Sequence, residues 1–156
     1  MAKARPIQLS AGERYADAAA RTIATRSEEL IAHSKDVLDI SDVERLHDMR
    51  VASRRLRAAL EVFEECFPGK EFRRALRDVK SLADALGERR DRDVTIKAVR
   101  SFGGEMPSAD QPGINALVDR LREEQEAANR ELEPLVAGGA LADLNRRLQG
   151  LAAAAR

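Results

Sequence analysis

The residues whose types and spacing could do chemistry lie mostly between positions 47 and 100. On a helical wheel, His47, Arg50, Arg54 and Arg57 fall within an arc of about 80°. Leu46, Met49, Leu56, Leu60 and Phe63 gather on a separate core face, and Val51, Ala58 and Val62 border the basic arc on its far side. Arg73, Arg77 and Lys80 repeat the arrangement within about 60°, away from Phe72, Val79 and Leu82. Arg89 and Arg90 follow Gly87, and Lys97 and Arg100 share a face beyond them. Guanidinium is permanently charged and its planar fork matches two phosphate oxygens, so a convergent set of arginines points to phosphate-bearing anions. A histidine beside them can donate to phosphate when neutral and adds charge when protonated. If the two stripes pack antiparallel, their cations face one another, and repulsion is costly unless an anion lies between them. A plainer reading stays open: Glu61 continues the first stripe and Asp84 the second, so the cations could simply be paired or solvated.

Catalytic chemistry has less behind it. His33, His47 and Cys66 lack metal-ligand spacing. Cys66 follows Glu64 and Glu65 near an expected helix end, an environment that disfavours a thiolate. Asp91 and Asp93 flank Arg92 where a helix is expected to start, and capping with the helix dipole accounts for them. A two-carboxylate metal site for phosphate hydrolysis is the rival. His33 is assigned no role. The expectation is a protein that is not an enzyme, with no catalytic residue, no metal ligand and no cofactor.

The elements that must position these residues read as helices. The chain has 156 residues, enough for one domain with one core, with 44% hydrophobic, 35% charged and only 3% aromatic residues. A single cysteine excludes an intrachain disulfide, and no apolar run approaches the length of a membrane span. The start of the chain lacks the apolar stretch of a signal peptide, which leads us to expect a cytoplasmic protein. The net charge of zero conceals a gradient: 15 basic and 12 acidic residues over 42–102, against six and nine over 103–156. A capping box at Ser10-Ala-Gly-Glu13 is expected to open a helix running to about Val37, and one at Ser41-Asp-Val-Glu44 a helix ending by Phe67-Pro68-Gly69. A third helix is expected from Lys70 to Leu86, stopping at Gly87, and a fourth from Asp91 to just before Gly103. After a loop over 103–112, a fifth spans about Ile114 to Val136, kinked or shortened by Pro134, and a short sixth follows Gly138-Gly139. Nothing reads as a strand. The fold class is all-α, an antiparallel bundle of about six helices.

Two segments resemble a known family. His47-Asp-Met-Arg-Val-Ala-Ser-Arg-Arg-Leu-Arg57 meets every fixed position of the pattern H-x-x-R-V-x-x-R-R-L-R, the signature of the CHAD (conserved histidine α-helical domain) family. Leu86-Gly-Glu-Arg-Arg-Asp-Arg-Asp-Val94 is similar to its second motif, L-G-x-x-R-D-x-D-V. The motif core is therefore 42–102 within a single domain of 1–156, with acidic C-terminal helices over 113–156. The resemblance implies an all-α domain that binds inorganic polyphosphate, associates with polyphosphate granules and has no activity of its own. Carried over by position, the first motif contributes His47, Arg50, Arg54, Arg55 and Arg57, with Arg55 set about 80° from His47 on the wheel. The second contributes Arg90, with Asp91 as its neighbour. Arg73, Arg77, Lys80 and Arg89 join the candidate polyphosphate-binding set from the wheel and the turn. The family's usual domain is about twice this length, with two similar bundles, so the chain looks like half of one, and a homodimer could complete the arrangement.

Other function classes stay in view. The same arginines could serve a nucleic-acid or phosphoprotein-binding module, although scarce aromatics argue against base stacking and zero net charge against duplex binding. A metal-dependent polyphosphate hydrolase and a purely structural bundle are further alternatives. Nothing suggests a membrane partner.

Overall fold

The computed structural model describes residues 2–156. Five helices form α1 (Tyr15–Ala32), α2 (Val43–Val62), α3 (Lys70–Gly103), α4 (Gln111–Val136) and α5 (Ala140–Ala153), with single 3-10 turns at Glu64–Cys66 and Ser108–Asp110. No strand occurs among the described residues. The all-α antiparallel architecture is as expected, with one helix fewer. The third and fourth expected helices are a single unbroken α3 of 34 residues, about 50 Å long. Gly87 costs about 1 kcal/mol relative to alanine in mid-helix. Helix-forming neighbours and two i,i+4 ion pairs bracketing the next turns, Arg92 with Glu88 and Arg89 with Asp93, carry the helix through it. Asp91 accordingly is not an N-cap but an exposed mid-helix residue.

Both expected capping boxes also differ from the structure. The Glu13 carboxylate accepts the Ser10 backbone N–H at 2.9 Å, half of the motif, yet residues 11–13 form a turn and α1 starts at Tyr15. The Ser41 N–H and hydroxyl both donate to Asp39 Oδ1, at 2.9 and 2.6 Å, so that serine stabilises a turn before α2 and leaves the helix uncapped by any side chain. Helix α1 ends at Ala32, and Val37 is buried from the loop that follows. Pro134 lies inside α4, which continues to Val136.

The main core lies among α1, α2, α3, α5 and the end of α4. Ile23, Leu46, Met49, Leu56, Leu60, Val79, Leu86, Leu132 and Leu148 are all inaccessible to solvent, each worth about 1.5–3 kcal/mol of burial. Neighbouring helices run antiparallel. Tyr15 at the start of α1 packs its ring at a tilt against Phe63 just past α2, at 5.1 Å between ring centroids, and Ser27 Oγ donates to Asn145 Oδ1 of α5 at 2.7 Å. The end of α3 packs against the start of α4 as a hairpin, with Gly103 against Ile114. A Cβ at Gly103 would come within 2.5 Å of Ile114 Cγ2, so glycine is what lets the two helices approach there.

One polar network joins this hairpin to the bundle. Arg89 is wholly buried; its Nε donates to Asp93 Oδ1 at 2.9 Å and its Nη1 to Asn129 Oδ1 at 2.6 Å and the Val37 carbonyl at 3.5 Å. Gln125 Nε2 donates to the same Asp93 oxygen at 2.6 Å, and Asn129 Nδ2 to the Leu38 carbonyl at 2.9 Å. Helices α3 and α4 and the loop before α2 are thereby held in one register. Arg89 Nη2 and Asp93 Oδ2 are buried without partners, so little redundancy remains. Removing the carboxylate strands a buried cation, and Asp93→Ala is expected to cost about 3–5 kcal/mol in urea unfolding. Asp91→Ala, two residues away but exposed, should change stability by less than about 0.5 kcal/mol; equal effects would contradict this division of roles.

Candidate functional site

The two basic stripes converge because α2 and α3 pack antiparallel. Near the start of α2, Glu44 Oε1 lies 3.9 Å from Arg90 Nη1 of α3. In the middle, Arg50 lies over Gly87: a Cβ built at that glycine would sit 3.7 Å from Arg50 Nε. At the far end, Arg57 Nε and Lys80 Nζ share Glu61 Oε1, at 3.1 and 3.5 Å. Gly87, expected as a helix stop, instead leaves room for a guanidinium on the helix surface. Sequence patterning cannot distinguish those two uses of glycine.

The candidate residues divide into three groups. Arg50 is half-buried and Arg54 exposed, and neither side chain has an ion-pair or hydrogen-bond partner among the described residues. His47 lies one turn before them, half-buried, with Nδ1 enclosed and unpartnered, which leaves Nε2 as the nitrogen open to a ligand. Arg57, Lys80 and Arg90 line the same groove but are held by acids, as above. Arg73 and Arg77 are exposed near the start of α3, with Lys70 and Arg74 beside them along a shallow depression; Arg77 reaches Asp78 at only 3.4 Å. Arg74 was not in the expected set, although its adjacency to Arg73 was the available signal.

Two candidates depart from the surface. Arg89 has no solvent access and neutralises Asp93, so it serves the core and not a ligand. Wheel geometry missed this because α3 has no break at Gly87: the continuous helix turns Arg89 inward and leaves Arg90 outward. Arg55 faces the N-terminal arm, its Nη2 donating to the Ala2 carbonyl at 3.0 Å. The Ala2 N–H donates to Asp48 Oδ1 at 2.8 Å, and the Arg5 N–H to Glu29. Burial would raise the Glu29 pKa, but the Arg5 N–H and the Arg26 guanidinium at 2.7 Å outweigh it and hold the carboxyl below its usual range.

Electrostatics set the resting state of the groove. The Arg57 hydrogen bond, helped by Lys80, holds the Glu61 carboxyl below the usual carboxylate range. Glu61 is therefore ionised at neutral pH and competes with any incoming anion for both cations. The sign follows from a depressed pKa: this attraction is complete above the unfolded-state pKa and is lost as pH falls through the folded one. Asp91 and Asp93 occupy different environments, one exposed and one buried against Arg89, and do not form a two-carboxylate site. No group of three potential metal ligands comes together among the described residues. Burial, then the Glu65 charge, push the Cys66 thiol pKa up.

An arginine that makes no native pair can be removed cheaply. Arg54→Ala should shift stability by no more than about 0.5 kcal/mol, whereas Arg55→Ala should speed amide exchange in the arm around Ala2 to Arg5. A loss above about 1.5 kcal/mol at Arg54 would show that it is already paired in the native protein.

Comparison with individually characterised proteins gives no match. The family model of the CHAD domain matches residues 21–156, which includes every helix from within α1 to the end of α5. The signature histidine and arginines lie on α2 and the second motif lies within α3, so the matched region contains the groove just described. With both motifs in place on an all-helical fold, the chain belongs to the CHAD domain family.

Proposed function

We propose that the α2–α3 groove binds inorganic polyphosphate and that the protein does so without chemistry of its own. The observation that carries this reading is the pair Arg50 and Arg54, two guanidinium groups without an acid partner among the described residues of a chain with 27 basic and 27 acidic side chains. Like charges held close along one groove repel, and a polyanion relieves that repulsion while accepting bidentate hydrogen bonds. CHAD domains are associated with phosphate-related binding in general, which supports the same ligand class. His47, Arg57, Lys80 and Arg90 extend the contact along the groove, and Arg73 with Arg77 extend it toward the start of α3.

The proposed assembly is a homodimer in which two grooves face one another across a two-fold axis and enclose one polyphosphate path. Val62 on α2 and Val94 on α3 are exposed large apolar side chains, which favours a covered arrangement over an open one. The proposed setting is the cytoplasm, at polyphosphate granules. No helix among the described residues is long and apolar enough to cross a membrane.

Charge reversal tests the groove directly. Arg50→Glu with Arg54→Glu should abolish polyphosphate binding at the groove while leaving far-UV helicity intact, and unchanged affinity would rule the site out. Glu61→Gln works in the opposite direction. It removes the internal competitor for Arg57 and Lys80 and should tighten binding roughly two- to fivefold, the value of a near-surface ion pair. Weaker binding in that variant would mean Glu61 orders the cations instead of competing for them.

A further inference from the structure

Lys97 and Arg100 share a face of α3 beyond the groove, and the groove does not use them. In the fold they meet Arg122 of α4 around a recess of about 620 Å³ at the base of the α3–α4 hairpin. Its wall is apolar, formed by Ile40, Val43 and Ile96. All three cations are exposed, and none has an ion-pair partner among the described residues. The acids in the lining offset them only in part: Asp93 is neutralised by Arg89, and Glu126, one turn from Arg122, is a single carboxylate against three cations. The uncapped start of α2, at Val43, adds the positive end of its dipole to the same space. Low-polarity walls strengthen the pull of such cations on an anion.

The recess is continuous with the groove. Val43 precedes His47 by one turn of α2, and Lys97 follows Arg90 by two turns of α3, so both helices carry the same faces from one site into the other. From Lys80 to Lys97 is about 25 Å along α3. We infer that the recess is a second anion station, engaged by the same polyanion that fills the α2–α3 groove. The inference rests on the polyphosphate reading of that groove and adds a length requirement to it. A chain long enough to span both stations binds bivalently, with the second contact made at high effective concentration. A short phosphate oligomer occupies either station alone.

Tripolyphosphate and a long-chain polyphosphate, each titrated calorimetrically into the intact protein, separate the possibilities. The wild type should take up two tripolyphosphates per chain. Arg100→Glu with Arg122→Glu should take up one, and should lose at least about tenfold in long-chain affinity while tripolyphosphate affinity for the groove stays within twofold. The milder Arg100→Gln with Arg122→Gln, checked by far-UV circular dichroism, guards against misfolding. Two tripolyphosphates and undiminished long-chain affinity in both recess variants would overturn the second station and leave the groove standing. If Arg50→Glu with Arg54→Glu still takes up two, the groove reading itself fails.

Discussion

The fold depends on a guanidinium that water cannot reach. Arg89 must be neutralised where it lies, and Asp93 one turn along α3 does this, assisted by Gln125 and Asn129 of α4. Because the same cluster holds the Val37 and Leu38 carbonyls, it also fixes the loop that launches α2. The position of α2 determines where His47, Arg50 and Arg54 lie relative to α3. A buried ion pair is weak evidence for stability by itself, since desolvation offsets much of its attraction. Its contribution here is registry: three segments distant in sequence have one arrangement that satisfies their polar groups.

The equal numbers of acids and bases do not make a uniformly neutral surface. Acids accompany cations where the bundle needs fastening: Glu29 holds Arg26 and the arm, and Asp78 and Asp143 together hold Arg147 between α3 and α5. Along the outer faces of α2 and α3 the pairing thins out, with Glu61 shared by two cations and no acid for Arg50 or Arg54 among the described residues. The close approach at Gly87 brings a guanidinium onto α3 without a side chain in the way. Arg57 and Lys80 are held in place by Glu61 before an anion arrives, which lowers the cost of ordering those two cations on binding.

Much of this was legible in the sequence. Helical period alone placed Leu46, Met49, Leu56 and Leu60 in the core and put His47, Arg50, Arg54 and Arg57 on one outward arc, and the fold keeps both faces. What failed were readings of single residues whose meaning is decided by tertiary contacts. Gly87 and Asp91 carry helix-stop and helix-start chemistry, but local ion pairs and continuous packing on both sides override a propensity cost of about 1 kcal/mol. Ser41 has the composition of a cap and bonds Asp39 instead, since a turn and a cap compete for the same hydroxyl. Arg89 and Arg90 are adjacent and chemically identical; only the uninterrupted helix decides that one is buried and the other faces α2.

We propose that the unpaired arginines of α2 bind polyphosphate in preference to other polyanions. Calorimetric titration with medium-chain polyphosphate at two salt concentrations, with duplex DNA at equal phosphate concentration as control, tests it most directly. Tight binding of polyphosphate over DNA, weakening steeply as salt rises through loss of counterion release, is the expected result. Absence of polyphosphate binding at low salt, or equal affinity for DNA, would contradict it.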